Sequence, residues 1–419
     1  MPLRVVDDVQ YNEHVSILNG SYANIGISIV SNFAPLFIIQ ALHANSQEVA
    51  LLNSLPALFT IVATWLGVFW LSRTASKKWF CIRATTVARM FYGLIAIAPF
   101  FIHGPLLPLF IVLCIAFMNI PQSLSGLSWT SLIGDLIPED RRAVFFGKRN
   151  QVITLVGMLA TVVPGLILQH YAPTFIPPYQ WFFILALAFS GLEIYYLILH
   201  REPQKEHSPN RASLFLRPKR RIGYLKHRPY RRFLLGSALF NLGWQMAWPL
   251  FNIYQIQFAA ATAAWISAFT VAAQLSQIAT FHLWGRWSAR KGNTLILAFA
   301  CLGMAFTPIA TILSKNLVYL TGVNLVSGVF VAGVQLLLFN HLLEVAPQAE
   351  RTSYIAHYNM VIAFIGFIAP EIGVWFLHLL SMQSAMVISA TLRLASVILF
   401  FIAAKKTSDK QMGTITFEK

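Results

Sequence analysis

Four ionisable residues stand inside stretches of the sequence that are otherwise apolar: Arg89, Glu193, Glu371 and Arg393. An ionisable group in the hydrocarbon of a membrane costs roughly 2.5–3.5 kcal/mol on insertion scales, so each is a functional candidate. A carboxylate shielded from water can take up and release a proton, the chemistry that couples a transmembrane process to the proton gradient. Glu193 and Glu371 are the candidate proton carriers, with Arg89 and Arg393 as their charged neighbours. The alternative is that the same residues form structural ion pairs. Glu371 stands in "GFIAPEIG", where Pro370 interrupts helical hydrogen bonding and Gly366 and Gly373 permit bending or close packing.

Such residues need elements that hold them away from water, and the composition supplies them. Of 419 residues, 57% are hydrophobic and only 11% charged, with 33 Phe and 11 Trp and a mean hydropathy of +0.63. A soluble chain of this length would expose too much apolar surface. Periodicity and breaks divide the sequence into twelve helical segments, at about 18–42, 47–72, 79–102, 106–134, 148–169 and 178–200, then about 232–257, 260–284, 293–314, 316–344, 356–380 and 384–404. The N-terminus "MPLRVVDDVQYNEHVS" is polar and acid-bearing, unlike a cleavable signal peptide, so the first segment is expected to insert as a permanent span. Cys81, Cys114 and Cys301 lie in apolar segments without metal-ligand or redox spacing and read as small core residues.

Lys and Arg outnumber Asp and Glu by 31 to 15, a net charge of +16. Their placement, not their number, is informative. With the N-terminus taken as cytoplasmic, basic residues follow segments two, four, six, eight and ten and fill the C-terminal tail, whereas the opposite loops hold only Lys315. This positive-inside asymmetry predicts an integral protein of the plasma (bacterial inner) membrane with both termini cytoplasmic, and argues against nucleic acid as a partner. Residues 200–232 carry eleven Lys/Arg against two Glu. They divide the chain into an N-terminal six-helix bundle (1–200), a basic cytoplasmic linker (201–231) and a C-terminal six-helix bundle with a cytoplasmic tail (232–419). Leu214, Phe215, Leu216, Ile222, Tyr224 and Leu225 would let part of that linker rest on anionic lipid; a plain solvated linker is the alternative.

The chain also repeats itself. "PEDRRAVFFGKRNQVI" (138–153) aligns with "PQAERTSYIAHYNMVI" (347–362), with Pro138/Pro347, Arg142/Arg351, Asn150/Asn359, Val152/Val361 and Ile153/Ile362 identical. The same shift pairs Asp135 with Glu344, and "PLFII" (35–39) matches "PLFNI" (249–253) at a nearby one. Several matches near half the chain length indicate a duplicated unit. The expected fold class is therefore an all-α polytopic membrane protein with twelve transmembrane helices in two pseudo-symmetric six-helix bundles.

Two six-helix halves, a basic central loop and charged turns after even-numbered segments resemble the major facilitator superfamily, along the whole chain. The turn "GRWSARKGN" (285–293) is similar to that superfamily's cytoplasmic signature of Gly, three residues, Asp-Arg, any residue, Gly and a base. Gly285, Arg290 and Gly292 match, whereas Ala289 replaces the acid and Asn293 the base. The corresponding "LSRTASKKW" keeps Arg73 and Lys77/Lys78, with Ser72 at the acidic place. The resemblance implies two halves that open a central site to each face in turn, latched by charged helix ends. With the signature acids absent, Asp135 and Glu344 are the substitutes: Arg73 is expected to pair with Asp135 and Arg290 with Glu344, Arg142 and Arg351 supporting. Simple topological anchoring is the alternative.

The resemblance further implies a cavity lined by the first, fourth, seventh and tenth segments. The seventh carries Asn241, Gln245, Trp248, Asn252 and Gln255 on one helical stripe, with Trp244 adjacent. The first offers Asn24 and Ser28, then Ser31 or Asn32; the fourth offers Asn119 and Gln122; the tenth offers Gln335 with Asn324. Amides beside tryptophans suit a neutral, amphipathic or ring-shaped solute, and interhelical hydrogen bonding is the alternative use. The fourth segment lacks the buried Arg that the superfamily's drug/proton antiporters carry. The expectation is a monomeric secondary transporter for a small neutral or amphipathic solute, coupled to protons, with export as the first direction. Alternatives are a sugar-type uptake symporter and a non-transporting sensor or lipid-handling protein on the same fold. The sequence has no nucleotide-binding glycine loop, zinc-type His spacing or nucleophile elbow, so no enzyme, cofactor or metal is expected.

Overall fold

The computed structural model describes residues 2–71, 74, 76–202 and 223–416. Arg73 and the linker residues Leu214, Phe215, Leu216 and Ile222 lie outside the described residues. Among the described residues twelve α-helices follow one another: α1 (Pro2–Leu36), α2 (Ser46–Leu71), α3 (Lys77–Phe101), α4 (Leu106–Leu136), α5 (Glu139–Leu168), α6 (Pro177–Leu199), α7 (Arg228–Ile253), α8 (Ala263–Lys291), α9 (Asn293–Ile312), α10 (Leu317–Val345), α11 (Arg351–Leu379) and α12 (Met382–Thr416). No strand occurs among the described residues. Ten of these helices are long and apolar enough to cross a membrane; α7 and α8 are not among them. Amides explain α7, whose 26 residues include Asn241, Gln245 and Asn252, and the same class of residue (Gln274, Gln277) lowers the apolarity of α8.

The described chain divides into two compact units, Met1–Lys219 with Thr262–Ser267, and Arg220–Ala261 with Ala268–Lys419. The repeat seen in sequence recurs in how helices pair. In the first unit α1 packs on α5 and α6, and α3 on α4 and α6; in the second α7 packs on α11 and α12, and α9 on α10 and α12. It recurs in backbone conformation too. A π-helical turn follows each unit's first helix, at Phe37–Ala41 and Tyr254–Phe258, and shortly afterwards a non-glycine residue takes positive φ, His43 at 57° and Ala260 at 52°.

Proline and polar caps set the boundaries. Pro138 and Pro347, each held extended, stop the preceding chain, and α5 starts directly after the first of them. Arg142 then reaches back to the end of α4, donating to the carbonyls of Gly134 (2.7 Å) and Ile137 (3.0 Å), groups that a helix end leaves without partners. Asn316 caps α10 by accepting from the N–H groups of Val318 and Tyr319.

The charges of 138–153 have a further use inside the first unit. With 35 residues, α1 is about 50 Å long, well beyond a hydrocarbon core of about 30 Å, so its first turns project past the membrane. Those turns are clipped to their neighbours. Asp8 Oδ1 meets Arg201 Nη1 at 2.5 Å, and that guanidinium lies 4.1 Å above the Tyr11 ring. Asn12 donates to the Arg201 carbonyl (3.2 Å) and accepts its N–H (2.9 Å). Glu13 takes Arg141 on both oxygens, at 3.0 and 2.9 Å, and Arg149 donates to the Ser16 carbonyl while lying 4.2 Å above Trp129.

His200, at the end of α6, is buried; its Nδ1 donates to the Tyr196 and Leu197 carbonyls and its Nε2 has no partner among the described residues. Burial holds the imidazole neutral and pushes its pKa down to about 4, with nearby Lys78 and Arg149 adding to the effect.

Two outcomes follow. Asn12→Ala removes both bonds to Arg201 and should lower stability by about 1–2 kcal/mol, read as a lower melting temperature of the purified protein. Between about pH 6.5 and pH 4 the unfolded chain protonates His200 while the folded chain does not, so stability falls as pH drops through that window. In His200→Phe the melting temperature should fall less steeply across the same range.

Candidate functional site

The most deeply buried ion pair among the described residues joins α3 to α6. Arg89 Nε meets Glu193 Oε2 at 2.7 Å and Arg89 Nη2 meets Oε1 at 2.9 Å, a two-pronged pair whose side chains are 3% and 7% exposed. The remaining nitrogen, Nη1, donates to Tyr92 Oη and to Gln122 Oε1, both at 2.8 Å. Helical spacing puts Tyr92 one turn after Arg89, and α4 delivers Gln122. The planar fork of arginine is thus filled on three sides, and its charge is matched by one carboxylate. Close approach of α1 lets Gly26 lie against Tyr92: a Cβ there would meet Tyr92 Cε2 and the Ala186 carbonyl, both at 3.2 Å.

Beside this network the first unit holds a half-open cavity of about 290 Å³. Ile27, Val30, Leu52, Ile115 and Met118 give it apolar lining; Arg89 with its partners Tyr92 and Gln122 forms a polar end, and Ser31, Asn53 and Asn119 add further polar groups. The amides of the lining are held by hydrogen bonds. Asn119 donates to the Ile115 carbonyl (2.7 Å) and Asn53 to the Val49 carbonyl (2.8 Å), which leaves each an oxygen and a second N–H. Gln122 is held the other way round, its oxygen on Arg89 and its NH₂ left to donate. The site offers donors and acceptors, apolar surface and no net charge.

The family profile of the Major Facilitator Superfamily matches residues 17–314 and, in a second match, 233–416. The chain belongs to the major facilitator superfamily. Solved structures share its fold at low sequence identity. A mutant of the nucleoside transporter NupG superposes with a TM-score of 0.73 at 12% identity, covering 93% of this chain and 99% of that one. A POT family transporter in complex with 5-aminolevulinic acid gives 0.69 at 12% identity over 94% and 96%, and a bacterial homologue of the human lysosomal transporter Spinster gives 0.62 at 12% over 95% and 96%. No curated protein matches the sequence. This superfamily member is an integral membrane protein and a secondary transporter, not an enzyme.

The transporter's expected site residues distribute unevenly. Asn119 and Gln122 line the cavity, and Arg89 forms its charged corner. Asn24 and Ser28 are not in that lining: Asn24 donates to the Ile153 carbonyl (2.8 Å) and both residues pack where Gly157 of α5 comes close. On α7, Asn241 and Gln245 are buried, Gln245 donating to Asn241 (3.2 Å) and Asn241 to the Ser237 carbonyl (2.9 Å). Trp244 stacks edge-on with Trp248, which is 38% exposed; Asn252 is half-buried and Gln335 exposed. Tyr92 and Asn53 escaped sequence reasoning. Tyr92 could have been found as the i+3 neighbour of a buried arginine, and Asn53 as a lone amide in an apolar segment.

The two acidic helix ends each have a partner close by. Asp135 meets Lys77 at 2.6 Å, and Glu344 meets Asn293 at 2.5 Å and His341 at 3.1 Å. Arg290 is exposed without an ion pair among the described residues, Arg351 Nε is buried without a partner, and Arg73, the expected partner of Asp135, is outside the described residues. Arg393 mirrors Arg89 only in part. It sits fully buried where α12 meets α7 and α9, donating to the carbonyls of Gly243 and Met304 and to Thr307 Oγ1, and its Nη2 has no partner. No carboxylate neutralises it among the described residues. Glu371, on α11, is half-buried.

The two arginines should therefore respond differently to removal. Arg89→Met strands a buried carboxylate and is expected to cost about 3–5 kcal/mol, whereas Arg393→Met removes an uncompensated buried charge and should change stability by no more than about 1 kcal/mol. Unfolding of the two purified variants in detergent, side by side, reads the difference.

Proposed function

We propose that this transporter carries a small neutral or amphipathic solute by alternating access, and that the cavity beside Arg89 forms part of its binding site. One observation supports this above others: the polar lining of the cavity presents amide donors and acceptors while its single guanidinium is already matched by Glu193. A solute with polar edges and an apolar body would satisfy the polar and the apolar lining alike. A nucleoside transporter among the solved structures of this fold is compatible with that solute class.

Proton coupling is assigned to Glu371 over Glu193 in this reading. Glu193 commits both oxygens to Arg89, so protonating it would break a buried pair. Glu371 follows Pro370, which lies inside the continuous helix α11, close to where Gly373 meets the Met246 carbonyl of α7, so a change in its charge would act on a helix crossing. The cytoplasmic orientation of both termini, the plasma membrane location, the monomeric state and the division at 200 and 232 are kept as parts of the same proposal, with Asp135, Lys77, Glu344, Arg142, Arg290 and Arg351 as the charged cytoplasmic layer.

Proteoliposomes loaded with a panel of radiolabelled uncharged solutes test it. At least one solute should show counterflow that Gln122→Ala reduces tenfold or more. Glu371→Gln should leave that counterflow intact while abolishing accumulation driven by a pH gradient. Accumulation that persists in Glu371→Gln would remove this residue from coupling.

A further inference from the structure

We infer that Glu193 is the specificity switch of the cavity: by neutralising Arg89 it makes the cavity select uncharged solutes, and its loss converts the same cavity into a site for monocarboxylates. The inference rests on the reading of the cavity as a solute site and adds what decides the charge of that solute.

The geometry behind it is simple. Arg89 is the one side chain in the cavity lining that carries a fixed charge. Its Nε and Nη2 face Glu193, which sits behind it on α6 and is not itself part of the lining. Its Nη1 faces forward, to Tyr92 Oη and Gln122 Oε1, both of which do line the cavity. An anion entering now would meet a guanidinium whose charge is cancelled, so desolvation of the anion goes uncompensated.

Replacing the carboxylate of Glu193 with an amide keeps shape and one acceptor for Arg89 but leaves a full positive charge at the polar end. Gln122 then either keeps its oxygen on Arg89 and offers NH₂ to the anion, or turns aside and frees Nη1. Both arrangements present N–H donors to a carboxylate, and charge-assisted bonds of this kind are roughly twice as strong as neutral ones. Glu193 touches no solute in this scheme; it is a positioning and charge-balancing residue.

Nicotinamide and nicotinate differ only in amide against carboxylate, and both are small beside a cavity of about 290 Å³. Binding of each, radiolabelled, is measured on wild type, Glu193→Gln and the double variant Arg89→Gln/Glu193→Gln at fixed ionic strength. The ratio of nicotinate to nicotinamide affinity should rise at least tenfold in Glu193→Gln and fall back in the double variant, where no charge is left. Nicotinate that fails to bind Glu193→Gln, or whose gain survives in the double variant, overturns the inference. If Glu193→Gln does not fold, wild type decides: a preference for nicotinate over nicotinamide refutes the inference, and rejection of nicotinate supports it. Failure of the solute-site reading looks different, because there Gln122→Ala leaves the counterflow of every uncharged solute unchanged, whatever Glu193→Gln does to nicotinate.

Discussion

A charge inside a membrane must be answered locally, and in the first unit Glu193 is the answer to Arg89. Much of that unit's arrangement can be derived from the pair. It joins α3 to α6 across 104 residues of sequence, at a crossing where small residues let α1 approach. It fixes the rotation of the Arg89 fork, so that Nη1 points towards Tyr92 and Gln122. It thereby fixes the sense of the Gln122 amide and the polarity of the cavity beside it. A structural ion pair and the polar lining of a cavity are here one object seen from two sides.

The duplication makes the asymmetry informative. Equivalent helices pair in both units, and in both a buried arginine lies where the unit's third and sixth helices meet. In the first unit the arginine is on the third helix and meets a carboxylate from the sixth. In the second it is on the sixth helix and meets main-chain carbonyls and a threonine, with one nitrogen unpartnered. Carbonyl dipoles can solvate a guanidinium but cannot cancel its charge. One half has used the crossing to build a neutral polar pocket; the other has used it for a close-packed junction against Gly243, where even a Cβ would touch the Ser389 carbonyl.

Helices, repeat and superfamily were legible because they rest on long-range averages: apolar windows, breaks at proline, and matches such as Pro138/Pro347 that survive duplication. The buried ionisable residues were legible one by one, since insertion cost marks them, and structural ion pairing was the alternative use expected of them, without the partners being assigned. Amide direction was not legible. Asn24, Asn119 and Gln122 look alike in sequence, yet the first bonds across to α5, the second bonds along its own helix and the third to Arg89, because each depends on which neighbour is within 3 Å. The α7 stripe shows the same limit: spacing put Asn241 and Gln245 on one face, but packing turned them onto each other and Ser237. Charged turns were ambiguous for another reason. Arg73 and Lys77 are both close enough in sequence to serve Asp135, and only the fold could show that Lys77 reaches it.

The account stands on Arg89 and Glu193 being coupled directly and not merely buried in the same region. Exchanging them tests this. Arg89→Glu and Glu193→Arg alone each place like charges together and should destroy most of the folded protein recovered in detergent. The double exchange, Arg89→Glu with Glu193→Arg, should restore at least half of the melting temperature lost by the worse single variant. A double variant as unstable as the two single losses added together would mean that the residues do not interact, and the neutral-cavity account would fall with the pair.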